Sequence, residues 1–106
     1  MTVELLFWDG CPSHPQALAE LRGVLAELGL DPEDVRVREV ASELDAEAEG
    51  FVGSPTIRVD GRDIEPPGVE PTGLTCRVYR LRDGRYSPTP DPAVVREALQ
   101  RAAAPA

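Results

Sequence analysis

Two cysteines and a single histidine are the residues of this chain best suited to nucleophilic or metal chemistry. Cys11 follows Asp9-Gly10, between the apolar run Val3–Trp8 and a stretch with helical spacing. Unpaired backbone N–H groups and the dipole at a helix start favour an anion, so a thiolate placed there has a lowered pKa. A shift from about 8.5 to about 6.5 would raise the thiolate fraction at pH 7 from a few per cent to roughly three-quarters. Trp8 would shield one side of such a sulfur. The alternative is an inert thiol packed as a small hydrophobe. His14 lies three residues on. As a cation it would stabilise the thiolate, and as a neutral ring it could share a metal; otherwise it faces solvent in a first helical turn. With no second histidine, a multi-histidine metal centre is excluded. Pro55, within Gly53-Ser54-Pro55-Thr56 at a strand start, is a candidate cis-proline, against the ordinary trans alternative. Cys76 stays open between two readings. One is a buried structural thiol; the other is a residue carried back towards Cys11 by the Pro/Gly-rich loop before it.

The elements that must position these residues are legible from periodicity. Val3–Trp8 suits a central strand buried on both faces. Ser13 and Gln16 have capping-box spacing, and Pro15 is tolerated in a first turn. A helix therefore starts at Ser13 or His14, although a residue before proline is disfavoured in helical conformation. Leu18, Leu21, Val24, Leu25 and Leu28 form its apolar stripe, and Gly29 closes it. Val35–Val40 alternates as a half-exposed strand would. Ser42 caps a short acidic helix over 43–49, with a thin stripe of Ala41, Leu44 and Ala48 and a stop at Gly50. Thr56–Val59 is a strand with Ile57 and Val59 on one face. Asp60-Gly61 is a hairpin turn after which Arg62–Glu65 can continue the ladder. Pro66–Gly73 is the one long loop. Thr75–Leu81 reads as a further strand followed by a turn at Asp83-Gly84. Asp91-Pro92 opens a last helix with Val94, Val95, Ala98 and Leu99 inward, and the tail from Ala103 is expected to fray. The order β-α-β-α-β-β-α predicts one α/β domain over residues 1–106, with a mixed sheet of about four strands and helices on both faces.

Composition narrows the function classes. The 106 residues suffice for one modest core, and 42% hydrophobic content is that of an ordinary globular chain. The net charge of −8 argues against a nucleic-acid partner or an anionic membrane surface. Lysine is absent, so Schiff-base chemistry is excluded, and the abundance of Ala, Gly, Pro and Arg fits a GC-rich bacterial genome or a thermophile. The start Met1-Thr2-Val3-Glu4 lacks the basic flank and apolar run of a signal peptide, so a cytoplasmic location is expected. Two cysteines are too few for a disulfide scaffold. The acidic group Glu43, Asp45, Glu47 and Glu49 lacks calcium-loop spacing and reads as a solvated helix face. No phosphate-binding glycine loop or serine elbow is present, and no cofactor is expected.

Phe7-Trp8-Asp9-Gly10-Cys11-Pro12-Ser13-His14, the long helix after it, and Gly53-Ser54-Pro55-Thr56 before a hairpin together resemble the thioredoxin superfamily. The resemblance implies Cys11 as nucleophile towards disulfides and Pro55, in cis, beside it. Trp8, Pro12, Ser54 and Thr56 would then contact substrate. His14 stands where that family often has a resolving cysteine. The resemblance therefore implies a monothiol protein whose partner is a small thiol or a protein disulfide. The chain is also similar to small bacterial thioredoxin-like proteins grouped with alkylmercury (organomercurial) lyases. That likeness implies mercury held by Cys11 and Cys76, with His14 at the position of a proton-delivering carboxylate and Asp9 as a substitute for it; soft thiolates select soft metals. A third expectation is a non-catalytic module that binds a peptide in the groove of the fold.

Overall fold

A computed structural model describes residues 1–104 of the protein. Its elements are β1 (Val3–Phe7), α1 (His14–Glu27), β2 (Arg36–Glu39), α2 (Glu43–Glu49), β3 (Thr56–Val59), β4 (Arg62–Asp63), β5 (Tyr79–Arg80), β6 (Tyr86–Ser87) and α3 (Pro92–Ala103). Four strands form a mixed sheet in the order β2-β1-β3-β4, and β5-β6 is a separate ribbon. β1 runs parallel to β2, with Leu5 opposite Val37, and antiparallel to β3, with Leu5 opposite Ile57. The parallel pair is linked through α1, as a crossover requires. This is the expected α/β class, with helices on both faces.

Alternation along β1 divides the core in two. Val3 and Leu5 join Ile57, Val59 and the inner faces of α1 and α3. Leu6 points the other way, to Val40, Ala46 and Phe51, with Trp8 and Leu74 packed against them. Each fully buried Leu of this strand stabilises by about 2 kcal/mol relative to leaving it exposed. Its doubly buried character is the reason the segment reads as a continuous apolar run.

Helix ends follow local chemistry, with two departures. In α2 the Ser42 hydroxyl accepts the Asp45 N–H at 3.1 Å, and Gly50 takes the left-handed conformation at φ 65°. In α3 the Asp91 carboxylate accepts the Ala93 N–H at 2.9 Å. The helix runs through Ala103; residues 105–106 of the expected frayed tail lie outside the described residues. The capping box at α1 does not form: Ser13 is the N-cap residue without a side-chain cap, and Gln16 donates to Glu20 instead. The stripe expected on α2 is also displaced. Leu44 is 78% exposed, Ala41 and Ala48 are exposed, and Ala46 is the buried residue. So short a helix covers Phe51 with a single small side chain, and its flanks stay in solvent.

The strand expected over Thr75–Leu81 is the main difference. β4 already pairs with β3, so the outer edge of the main sheet is taken by Arg62 and Asp63. Tyr79–Arg80 pairs with Tyr86–Ser87 across the turn at Gly84, whose φ is 95°. Cys76 makes an isolated parallel bridge with Ser54. β2 also departs from the half-exposed reading: all four residues are exposed, because it is an edge strand and Val35 and Val40 beside it do the burying. No helix among the described residues is long and apolar enough to cross a membrane.

Candidate functional site

Cys11 lies in the turn between β1 and α1, where its N–H donates to the Trp8 carbonyl at 3.1 Å. The tight turn depends on Gly10. A Cβ at that position would lie 2.6 Å from Trp8 Cε2 and Cη2, inside the indole ring's contact surface. The indole of Trp8 thus leaves no room for a side chain at Gly10, which is exposed, while Cys11 is only 1% exposed.

The second part of the site is the segment before β3. The Ser54–Pro55 peptide bond is cis, as expected for Pro55. Ser54, Pro55 and Thr56 are all buried. The Ser54 hydroxyl accepts the Trp8 N–H at 3.0 Å, which ties this segment to the end of β1. Thr56 Oγ1 donates to the Gly53 carbonyl at 2.7 Å. The Ser54 carbonyl oxygen lies 3.6 Å from Cys11 Sγ. Of the expected substrate contacts, then, Ser54 and Thr56 form the buried frame of the turn, Trp8 is half-buried against it, and Pro12 is exposed beside it.

Cys76 reaches this place through its loop. The Gly73 N–H donates to the Phe51 carbonyl at 3.0 Å, Leu74 packs on the Phe51 cluster, and its N–H meets Glu43 Oε1 at 3.4 Å. Ser54 N–H then donates to the Thr75 carbonyl, and Arg77 N–H to the Ser54 carbonyl, each at 2.8 Å. The result is a disulfide between Cys11 and Cys76, 65 residues apart in sequence, with a Cα separation of 5.4 Å. Of the two readings of Cys76, the structure holds the second: the Pro/Gly-rich loop, pinned to α2 and Phe51, carries it back to Cys11, and it is not a buried structural thiol. Cys11 is therefore not a lone thiol in this structure, as the monothiol expectation has it, since no cysteine is free.

His14 occupies a different role from those expected. Its ring stacks on Phe7, with centroids 4.2 Å apart and planes 20° from parallel. Its Nδ1 lies 3.2 Å from the Cys11 carbonyl oxygen, within hydrogen-bond distance. It is the Ser13 hydroxyl that approaches Cys11 Sγ, at 3.4 Å; with the sulfur in a disulfide, only the hydroxyl can donate. The helix cap is absent for a backbone reason: Ser13 sits at φ −86° and ψ −9°, already helical, whereas a capping residue is extended. Asp9, the alternative proton carrier, is exposed.

A polar brace behind Pro55 escaped the sequence reading. Arg77 Nη1 donates to Asp63 Oδ2 at 2.7 Å and to Thr56 Oγ1 at 3.3 Å, and its Nη2 to the Glu65 carbonyl. The guanidinium sits 4.7 Å from the centre of the Tyr79 ring, within cation–π range. The Tyr79 hydroxyl donates to the Pro55 carbonyl. Burial, with Tyr79 only 4% exposed, pushes its pKa well up and keeps it a donor. Gly53, at φ 149°, admits this arrangement: a Cβ there would lie 2.9 Å from the Arg77 Cβ. Alternation over 76–79 puts Arg77 and Tyr79 on one face, but a charged residue inside and Val78 outside, 67% exposed, invert the usual hydrophobic signal.

Beside Cys76 opens a cleft of about 460 Å³, lined in part by Glu65, Pro67, Glu70, Val78 and Arg80. Cys76 itself is exposed. Among the described residues no group of three or more His, Cys, Asp and Glu could hold a metal ion, so a metal here would rest on the two thiolates. Comparison of the chain with protein-family models, with curated proteins and with solved structures found no match.

Proposed function

We propose that the protein is a thioredoxin-like thiol–disulfide redox protein in which Cys11 and Cys76 form one reversible dithiol–disulfide couple. The observation that carries this is the joining of two cysteines 65 residues apart, across the start of α1 and beside Pro55. The element order, the parallel β1–β2 pair around α1 and the cis-proline support the thioredoxin-like reading. Oxidation removes two electrons and two protons from the two thiols, and a disulfide acceptor takes them up as two thiols. Reduction by two thiol equivalents is the reverse. Ser13 supplies a hydroxyl donor for a Cys11 thiolate, and the start of α1 favours its negative charge. His14 positions the Cys11 main chain rather than its sulfur.

Equilibration in glutathione redox buffers, followed by acid quench, alkylation and intact-mass measurement, tests this. The expected result is that both thiols appear together in a single two-electron step, and that Cys11→Ser or Cys76→Ser abolishes it. A folded protein that keeps two free thiols in excess oxidised glutathione would overturn the reading.

The convergence of the two sulfurs also favours a second reading, capture of a mercuric ion by the reduced pair. It predicts a one-to-one adduct that needs both cysteines. Retention of the adduct in either single variant would remove it. A non-catalytic peptide-binding module is what remains if neither redox cycling nor metal capture is found.

A further inference from the structure

The two sulfurs of the disulfide are unequal, and we propose that an incoming low-molecular-weight thiol attacks Cys76, with Cys11 as the leaving group. The inference rests on the redox-couple reading above and assigns its direction. Attack on a disulfide needs a nucleophile to reach one sulfur along the S–S axis, and it proceeds faster when the departing thiol has the lower pKa. Access favours Cys76. It is exposed and borders the cleft of about 460 Å³, whereas Cys11 is 1% exposed beneath the turn and the cis-proline segment. Leaving-group stability favours Cys11. The Ser13 hydroxyl is 3.4 Å from its sulfur, and α1 begins at His14, three residues on. The Ser54 carbonyl, 3.6 Å from the same sulfur, opposes an anion, but that oxygen already accepts the Arg77 N–H.

In the step, the thiolate R–S⁻ bonds to Cys76 Sγ while the Sγ–Sγ bond breaks and its electron pair departs on Cys11. The products are a mixed disulfide at Cys76 and a thiolate at Cys11. A second thiolate of the same kind attacks the R sulfur of the mixed disulfide. It releases R–S–S–R and leaves Cys76 reduced, with protons taken from solvent. The N-terminal cysteine is thus the buried member of the pair, and Cys76 is the point of entry.

The test uses oxidised wild-type protein, so no variant has to fold. The protein is exposed briefly to limiting reduced glutathione, quenched in acid, alkylated with N-ethylmaleimide and cut with trypsin. Cleavage after arginine separates residues 1–22, with Cys11, from residues 63–77, with Cys76. The expected product has glutathione on the 63–77 peptide and maleimide on the 1–22 peptide, at least ten-fold over the reverse. An equal or reversed distribution overturns the assigned direction while leaving the redox couple intact. Absence of the cross-linked 1–22/63–77 pair in the starting protein overturns the couple, and this direction with it.

Discussion

Tyr79 shows how a single hydroxyl can govern a site it does not enter. It donates to the Pro55 carbonyl from a buried position, under the Arg77 guanidinium. Tyr79→Phe removes the donor and leaves that carbonyl without this partner, at a cost of about 1–2 kcal/mol. The pH dependence has a definite sign. The folded-state pKa is raised, chiefly by burial, so the phenol stays neutral where the unfolded chain ionises. Its contribution is therefore complete below about pH 10 and is lost as pH rises beyond that. Urea unfolding at pH 8 and pH 11 checks both parts. Wild type should lose more stability than Tyr79→Phe between the two values. An equal loss would mean the phenol is not held neutral by the fold. At the same scale lies the missing cap of α1. The spacing of Ser13 to Gln16 is correct for a capping box, but the fold holds Ser13 in helical rather than extended conformation, which spacing alone does not show.

At the scale of elements, α2 is held to the sheet by charge as much as by its one buried alanine. Glu49 at its end receives Arg38 Nη2 from β2 at 2.8 Å and Arg58 Nη1 from β3 at 3.0 Å. Arg38 Nη1 also meets Glu4 of β1 at 3.0 Å, so three strands are linked to one helix end. The Arg38 hydrogen bond, with Arg58 adding to it and burial opposing, sets Glu49 below its ordinary carboxylate pKa. A lowered folded pKa contributes above the unfolded value of about 4.3 and is lost as pH falls through the folded one. Glu49→Gln should cost about 1 kcal/mol at pH 7, because these pairs are partly solvated. Stability curves against pH for the two proteins should converge below pH 4. Parallel curves would show that the ion pairs contribute nothing. The helices and the first three strands were legible because each owes its position to a local pattern: Leu21 and Leu25, Ser42 with Gly50, and Ile57 with Val59. The path of residues 75–78 was not. Cys76 reaches Cys11 because Gly73, Leu74 and Thr75 bond to Phe51, Glu43 and Ser54, partners distant in the chain that leave no periodic trace.

For the molecule as a whole, the disulfide closes a 65-residue separation in a chain of 106. A domain of this size buries a limited core, so one cross-link weighs heavily against its total stability. Loop-closure entropy for such a span is worth about 4 kcal/mol, with measured bridges often giving less. Oxidised protein should therefore melt at least about 10 °C above the same protein in a phosphine reductant. Cys76→Ser should melt at one temperature whether or not the reductant is present. Folding and reduction share a thermodynamic cycle, which links this measurement to the proposed chemistry. Whatever the bond adds to the fold, the fold returns to the bond. A gain of about 4 kcal/mol makes the disulfide about 90 mV harder to reduce than in the unfolded chain. The potential measured in glutathione buffers, minus that of the urea-unfolded protein, should match the stability difference between oxidised and reduced forms. Agreement would mean that both forms unfold in a single two-state step, so that the cycle closes. A potential shift smaller than the stability difference would mean that one form unfolds through a further populated state.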